Sequence, residues 1–594
     1  MTATPSILEQ LPCSLPPARD VSVTDDDATK IGKRFESKLG TLEAGDLTED
    51  VVWRDLFSLT GSLRTFYGSS NVLERWKALT QPVLCSGFTF QPNSTRIVRL
   101  GGEFLWVEAR YTFQTQSQPA TECTAMVSYA NVDGKWRIWV LRTILDRLKD
   151  HPSVDQYVPC RQNGEHKRGL LSKPQDYQKD VWDCVVVGGG QAGLSVAGRL
   201  QSQGISYVVL EKNAHVGDNW KLRYQSTKLH TTRESSHLPF DRTFPACYPE
   251  FLTKDDLAQG YQDWVTKYDI NVWVNTGLIL GEWRADESLW HLQIVRDGEA
   301  QTTTARHVVL AVGAGCQIPV MPEIEGHTNF KGIIQHSATF TSADEWRGKA
   351  GVVVGTANTA HDVAEDMCAA GMSSVTMIQR SPTYVLPYEY YQRILDVLYN
   401  DKTPTHLADT LSNTNPIPIT RLISKYALHG MAKKEPERFD ALEKAGFLLI
   451  RYGDIIHQLY ERFGGHYMDV GASSKIAKGL IGIKSGARPT KFVSDGLLFD
   501  DGTKLDADVV VFATGFLGNM KSTVQDLFGP QVAAQIDDFW GLDSEGEIRG
   551  AFKPSGHPHL WMHGGTCGQA RYFSRFLALS IRAALDGTPL PIAD

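Results

Sequence analysis

Three glycines behind a short apolar run carry the first chemical pattern in the chain. Cys184-Val185-Val186-Val187 leads into Gly188-Gly189-Gly190-Gln191-Ala192-Gly193, a G-x-G-x-x-G spacing. A helical stretch follows, and a second run, Tyr207-Val208-Val209-Leu210, ends in Glu211 and Lys212. Each residue type has a task. Gly188 permits a tight turn, Gly190 lets a pyrophosphate approach the backbone, and Gly193 lets helix and strand pack closely. Gln191 and Ala192 open the helix, whose free N–H groups favour phosphate. Glu211, eighteen residues beyond Gly193, can accept hydrogen bonds from a ribose diol, as FAD or NAD requires. A Gly-rich structural turn would explain the glycines alone; strand, glycines, helix, strand and acid in this order read as a dinucleotide cradle.

A second unit repeats the plan. Gly351-Val352-Val353-Val354 runs into Gly355-Thr356-Ala357-Asn358-Thr359-Ala360, a G-x-A-x-x-A spacing, and the next apolar run ends in Gln379-Arg380. The candidate binding residues here are Gly355, Ala357, Asn358, Thr359 and Arg380. Arg380 stands where the first unit has Glu211. A carboxylate there would repel a ribose 2′-phosphate, whereas a guanidinium pairs with one, which points to NADPH. The alternative is that Arg380 simply ends a strand in solvent.

Elements must hold these residues in place. From Val181 onward, short Val-rich strands alternate with helices, the pattern of α/β folds with parallel sheets. Residues 388–465 read as mostly helical, with breaks near 404 and 413–418. Ahead of this, Val107, Ala109, Tyr111 and Phe113 alternate with polar residues as in a half-buried strand, and Asn131-Val132-Asp133-Gly134-Lys135 reads as a hairpin turn. The expected organisation is a disordered tail (1–20), a small α+β domain (21–150), a linker (151–180), an FAD-binding domain (181–345 with 490–594), and an NADPH-binding domain with a helical insertion (346–489).

Composition excludes other classes. Hydrophobic residues make up 42% and charged residues 22%, a globular balance, and the formal charge of −8 argues against a nucleic-acid partner. No run of eighteen apolar residues suggests a transmembrane helix. The first twenty residues lack a basic start followed by an apolar core, so no secretory leader is expected. Nine scattered cysteines form no C-x-x-C pair, which argues against a zinc site or disulfide framework and for a reducing, cytoplasmic compartment.

Between the two glycine units lies Phe330-Lys331-Gly332-Ile333-Ile334-Gln335-His336-Ser337-Ala338-Thr339-Phe340. The spacing F-x-G-x-x-x-H-x-x-x-F resembles the fingerprint of the class B flavoprotein monooxygenases. From about 180 to 594 the chain is similar to the flavin-containing monooxygenases and their YUCCA-like and fungal relatives. Gly217-Asp218-Asn219-Trp220, Asp469-Val470-Gly471-Ala472-Ser473 and Phe512-Ala513-Thr514-Gly515-Phe516 carry the same resemblance. It implies two Rossmann-type domains with FAD on the first unit, including Trp220, Thr514 and Gly515, and NADPH on the second. It also implies transfer of one oxygen atom from dioxygen to a small organic substrate by way of a flavin hydroperoxide. His336 would stand at the junction of the two domains, as a catalytic residue, a satisfied linker, or both.

His230 lies where N-oxidising members carry asparagine, which turns the expectation away from amine oxidation; it either works near the flavin or only packs there. Candidate substrates are a nitrogen or sulfur nucleophile, a ketone, or a 2-oxo acid. Gly564-Gly565-Thr566 precedes a helix whose start would point at the flavin ring. Tyr388, Tyr390 and Tyr391 would line a cavity or merely pack. The N-terminal domain resembles the cone-shaped SnoaL-like fold; its expected role is an interface or a cap, and it is the expected place of any homodimer contact. Three rival readings are a disulfide reductase, which needs a paired redox cysteine absent here, an NADPH oxidase releasing hydrogen peroxide, and a ligand-binding redox scaffold.

Overall fold

The computed structural model describes residues 6–18, 21–158, 181–313 and 318–593. The N-terminal part is built on a seven-stranded sheet of β1 (Leu47–Leu56), β2 (Leu63–Tyr67), β3 (Ser86–Phe90), β4 (Arg96–Leu100), β5 (Phe104–Thr115), β6 (Thr121–Val132) and β7 (Lys135–Leu148). Their order is β2-β1-β7-β6-β5-β3, with β4 also on β5, and only β1 and β7 pair in parallel. Helices Asp25–Glu36 (α1) and Ser69–Thr80 (α2) cover one face. Thr24 starts α1 with a reciprocal capping box to Asp27. Val107, Ala109, Tyr111 and Phe113 all point into this core, and Asp133 and Gly134 turn the β6–β7 hairpin with positive φ, as the alternation and the turn residues predict.

Two expectations change here. The alternation of β5 predicts a wet outer face, yet Val52, Trp106, Trp139 and Val140 pack on Ile419 of a helix far along the chain. The expected tail is an arm: Leu8 is buried, Ile7 N–H donates to Glu461 at 2.8 Å, and Trp139 Nε1 donates to the Ser14 carbonyl at 3.0 Å. Its Pro- and Ser-rich composition says nothing of partners so distant in sequence. The linker divides likewise. Val154 is buried and Asp155 pairs with Arg199 and Arg575, while 159–180 lie outside the described residues.

The first glycine unit forms a sheet of β8 (Trp182–Val187), β9 (Tyr207–Leu210), β10 (Val272–Trp273), β11 (Thr276–Arg284), β12 (Leu289–Arg296) and β13 (Glu299–Leu310), in the order β10-β9-β8-β13-β12-β11. Helix α3 (Gln191–Ser202) crosses from β8 to β9, which pair in parallel, and α4 (Lys254–Tyr268) leads on to β10. The chain then leaves through β14 (Ile318–Pro319) into a second, five-stranded sheet. This holds β15 (Ile333–His336), β16 (Ala350–Val354), β17 (Ser374–Gln379), β18 (Gly482–Ser485) and β19 (Val509–Phe512) in the all-parallel order β15-β19-β16-β17-β18, with α5 (Asn358–Ala369) between β16 and β17. The return is β20 (Phe516–Leu517), antiparallel to β14, and then β21 (Leu560–Met562), which joins β13. These pairings move the expected boundaries: residues 333–336 and 509–512 belong to the second sheet, not the first. Single apolar strands carry no mark of which sheet they enter, because both sheets bury them on both faces.

The helical stretch after residue 388 is observed, with α6 (Thr405–Asn413) and α7 (Ile417–Ala432) starting directly behind Pro404 and Pro416. It lies on the outer face of the N-terminal sheet, and α7 supplies Ile419. There the Arg54 guanidinium grips both carboxylate oxygens of Glu547 at 2.6 and 2.7 Å and donates to the carbonyls of Asn413 and Asn415. Arg142 donates to the Asn415 side chain at 2.7 Å, and Arg64 pairs with Glu545. The last helix, α8 (Cys567–Leu585), packs beside α3 through the middle of the molecule, and nearly all of it is buried.

Candidate functional site

Val187, Leu210, Leu310 and Met562 end four neighbouring parallel strands at one edge of the first sheet. β8 sits between β9 and β13, so successive connections depart in opposite directions and open a crevice beyond the strand ends. Gly188 turns the chain into it with φ 106°, and any Cβ there would stand 2.6 Å from the Ala311 carbonyl oxygen. A Cβ on Gly193 would strike the Gly188 carbonyl oxygen at 1.8 Å. Gly190 is different. Its φ of −83° suits any residue, and an added Cβ would meet only Asn219 Nδ2 at 3.4 Å. Among the described residues no other atom lies within 4 Å of that position, so its missing side chain leaves room for a guest at the start of α3.

Glu211 is buried, and two backbone N–H groups aim its carboxylate: Gly189 donates to Oε2 and Asn213 to Oε1, both at 2.8 Å. Each oxygen keeps acceptor capacity for a diol. Trp220 Nε1 is buried with no hydrogen-bond partner among the described residues. Lys212 is exposed beside the acid, and Gln191 and Ala192 form the first turn of α3. Gly564 stands next to Gly313, so α8 begins at the same crevice. Thr566 and Gln569 close its capping box, and the Gln569 amide donates to Tyr460 at 2.8 Å. These features fit FAD: a phosphate-sized gap at a helix start, an oriented carboxylate for ribose, and an unpaired indole donor.

The second cradle repeats the first in detail. Gly355 has φ 129°, and its Cβ would stand 2.5 Å from the Ala513 carbonyl oxygen, as Gly188 faces Ala311. Ala357 takes φ −92° and ψ −174°, close to the −83° and −172° of Gly190. Thr359 follows in the first turn of α5, half-buried at the open edge. Arg380 ends β17 exposed, with no side-chain partner among the described residues. A guanidinium at this strand end, where the first unit carries Glu211, fits a 2′-phosphorylated dinucleotide such as NADPH.

Some expected site residues are placed otherwise. Asn358 holds the protein together: its Oδ1 accepts from Met468 N–H at 2.8 Å. Thr514 and Gly515 follow β19, so they flank the second cradle rather than the first; the Thr514 hydroxyl donates to the Val320 carbonyl, and Gly515 O accepts from Val320 N–H. His336 is engaged at both ring nitrogens. Nδ1 accepts from Ala338 N–H at 3.1 Å, which leaves the proton on Nε2, donated to Gly515 O at 3.1 Å. Burial holds this imidazole below its ordinary range. The rest of the fingerprint is packing: Phe330 sits on Phe492, Phe340 on Tyr224 and Trp346, and a Cβ at Gly332 would strike the Asp508 carbonyl.

His230 lies in the cleft between the units. Its Nε2 is 3.9 Å from Asp362 Oδ2 on α5, and burial with the nearby Arg223 lowers its pKa to about 4, so it is neutral at pH 7. Asp362, which accepts from Tyr224 at 2.6 Å, is pushed up to about 6 by burial. Ser226 donates to Asp366 at 2.7 Å in the same seam. The sequence reading missed Tyr224, Asp362 and Asn219. Asn219 was visible within Gly217-Asp218-Asn219-Trp220; the other two carry no local pattern. Tyr390 is buried and Tyr391 half-buried; Tyr388 packs edge-on against Phe251.

Residues 185–398 match the family described as pyridine nucleotide-disulphide oxidoreductase. Among curated proteins, the chain is 28% identical over 348 residues to "Probable indole-3-pyruvate monooxygenase YUCCA9" of Arabidopsis thaliana, covering 58% of this chain and 76% of that one. It is 27% identical over 368 residues to "Indole-3-pyruvate monooxygenase YUCCA4" of Oryza sativa subsp. japonica, covering 57% and 75%. A solved cyclohexanone monooxygenase with bound epsilon-caprolactone shares the fold at a TM-score of 0.50 and 16% identity, over 68% of this chain and 88% of that one.

Proposed function

We propose that this chain is an FAD- and NADPH-dependent monooxygenase of the class B flavoprotein type, which transfers one atom of dioxygen to a small organic substrate and reduces the other to water. The observation that carries this reading is the pair of similarly built glycine turns at the ends of parallel strands in two sheets, the unit of one carrying Glu211 and that of the other Arg380. The balance is substrate, dioxygen, NADPH and a proton giving oxygenated substrate, water and NADP⁺. When bound, FAD supplies hydride acceptance and dioxygen activation.

The chain's own residues orient and enclose. Gly190 and the start of α3 receive the pyrophosphate, Glu211 the ribose diol, Asn219 and Trp220 the flank of that cradle, and the start of α8 the flavin end. Gly355, Ala357, Thr359 and Arg380 receive NADPH. His336 is a positioning residue that fixes the turn at Gly515 against the end of β15. His230, neutral and without a hydrogen bond in the cleft, is the candidate to hold a proton or a polar substrate atom. Of the open substrate classes, the names of the curated relatives favour a 2-oxo acid.

A disulfide reductase is disfavoured because the sequence holds no closely spaced cysteine pair. The SnoaL-like reading of the N-terminal domain is supported by its seven-stranded mixed sheet with helices on one face; the sheet's outer face lies against α7, so a homodimer through this domain would use the β3 and β4 side. A cytoplasmic location is favoured by the cysteine usage, and no helix among the described residues is long and apolar enough to cross a membrane.

The test is anaerobic reduction by NADPH followed by rapid mixing with dioxygen. A spectral species distinct from oxidised and reduced flavin, outlasting the mixing, is expected. Direct return of the oxidised spectrum with stoichiometric hydrogen peroxide, unchanged across 2-oxo acids, ketones and sulfides, would replace this reading with an oxidase.

A further inference from the structure

A polar chamber of about 230 Å³ lies where the N-terminal domain meets the flavoprotein body, and neither dinucleotide cradle contributes to it. Its walls include residues from five separate parts of the chain: Arg110 of β5, Asp155 of the linker, His406 of α6, Arg199 of α3, and Tyr572 and Arg575 of α8. Surfaces that meet only to exclude water would be apolar; here buried charge is gathered around an open space.

The unsatisfied groups in this chamber share one character. Asp155 is consumed by its two ion pairs, to Arg199 at 2.8 Å and to Arg575 at 2.7 Å. Asp146 accepts from the Thr124 hydroxyl at 2.6 Å. What remains over is donor capacity: Arg199 Nε, Arg575 Nε and the Tyr572 hydroxyl are buried without hydrogen-bond partners, and the Arg110 guanidinium has none among the described residues. Leaving buried donors unmade costs about 1–3 kcal/mol each, so such a set is stable when something accepts from it. An excess of donors calls for an acceptor-rich, negatively charged guest.

Geometry narrows the guest further. Guanidinium forks match planar carboxylates two bonds at a time. Leu407 and the Tyr572 ring give the chamber an apolar wall for a short organic body. The volume is below the roughly 300–1,000 Å³ of pockets that hold drug-sized ligands. Burial also raises the Asp146 carboxyl towards its neutral form, which lessens repulsion of an anion.

We propose that the chamber between β5, α6, α3 and α8 is a binding site for a small organic carboxylate, separate from the dinucleotide cradles. A guest there touches the N-terminal domain, the helical insertion and the flavoprotein core at once, and so fastens them together. The proposal does not depend on the oxygenation chemistry.

The experiment is thermal unfolding of the full-length flavoprotein with benzoate, acetate or inorganic phosphate, at ionic strength matched with chloride. Wild type should show a saturable rise in Tm with benzoate or acetate. Arg110→Gln should weaken that response at least tenfold while leaving the ligand-free Tm unchanged. Tyr572→Phe should also weaken it, with the ligand-free Tm equal or higher, because it removes an unpaired buried hydroxyl. It keeps the test open should the arginine variant misfold. No saturable rise over chloride would mean that the chamber holds only water, and the proposal fails. It fails equally if both variants respond as wild type, or if phosphate alone raises Tm.

Discussion

Arg380 presents a free guanidinium at the strand end where the first unit carries an acid, and its role separates two cosubstrates that differ by one phosphate. Arg380→Ala should raise KM for NADPH by about tenfold to a hundredfold, the size of a lost charge-assisted hydrogen bond pair, and leave KM for NADH nearly unchanged. Equal effects on both would place the phosphate elsewhere. Asp362 gives a pH prediction. Burial lifts its pKa from 3.8 to about 6, so the folded state disfavours its charge. Well below pH 3.8 it is neutral folded and unfolded, and no penalty exists; the penalty grows as pH rises from 3.8 to about 6 and is complete above. Asp362→Asn, which still accepts from Tyr224, should therefore stabilise the protein at pH 8 by up to about 3 kcal/mol, at 1.36 kcal/mol per pKa unit, and change little at pH 4. Denaturant titrations at the two pH values measure this. At this scale the sequence was informative where the chemistry is local: glycines, acid and arginine sit within one strand–helix–strand. For His336 the sequence left a catalytic and a linker reading open, because its partner, Gly515, lies 179 residues on.

The glycines of α3's approach make distinct predictions at the level of the element. Gly193→Ala puts a Cβ 1.8 Å from the Gly188 carbonyl, so helix and strand cannot pack and folded protein should be lost. Gly190→Ala meets only the end of Asn219, so it should fold with near wild-type far-UV circular dichroism and purify colourless. A yellow Gly190→Ala protein would remove the first cradle from the FAD assignment. Strand and helix identities here were legible because period and turn residues agree. Sheet membership was not: β15 and β19 are short apolar runs like any other, and only their register shows that β19 pairs with β16 and β15 with β19.

For the whole molecule, the N-terminal domain is bonded into the body rather than appended to it. Glu547 is wholly buried, and its charge is balanced by Arg54 across the interface. Arg54→Met should cost about 3–5 kcal/mol, because a buried carboxylate is left unpaired, while the double variant with Glu547→Met should recover most of the loss. Removing residues 1–158 would expose α7 and strand Glu547, Arg199 and Arg575 together, so the truncated chain should fail to accumulate as soluble yellow protein. A stable, NADPH-reducible truncation would show these contacts to be dispensable. None of this was readable beforehand, since an arginine in a strand does not announce a glutamate nearly five hundred positions away.

The β14–β20 ribbon carries both chain crossings between the two sheets, side by side. Taken alone it is a door hung on one jamb, free to swing about that line. But α6 and α7, which leave the same door leaf, are bolted to the opposite jamb: Arg571 of α8 holds Asp409, and Arg54 and Arg142 hold the Asn413–Asn415 turn. A leaf fixed along two edges cannot rotate about either. Access to the space between the cradles must then come from small panels within the frame, the loops and side chains near His230 and Phe516, and not from the door.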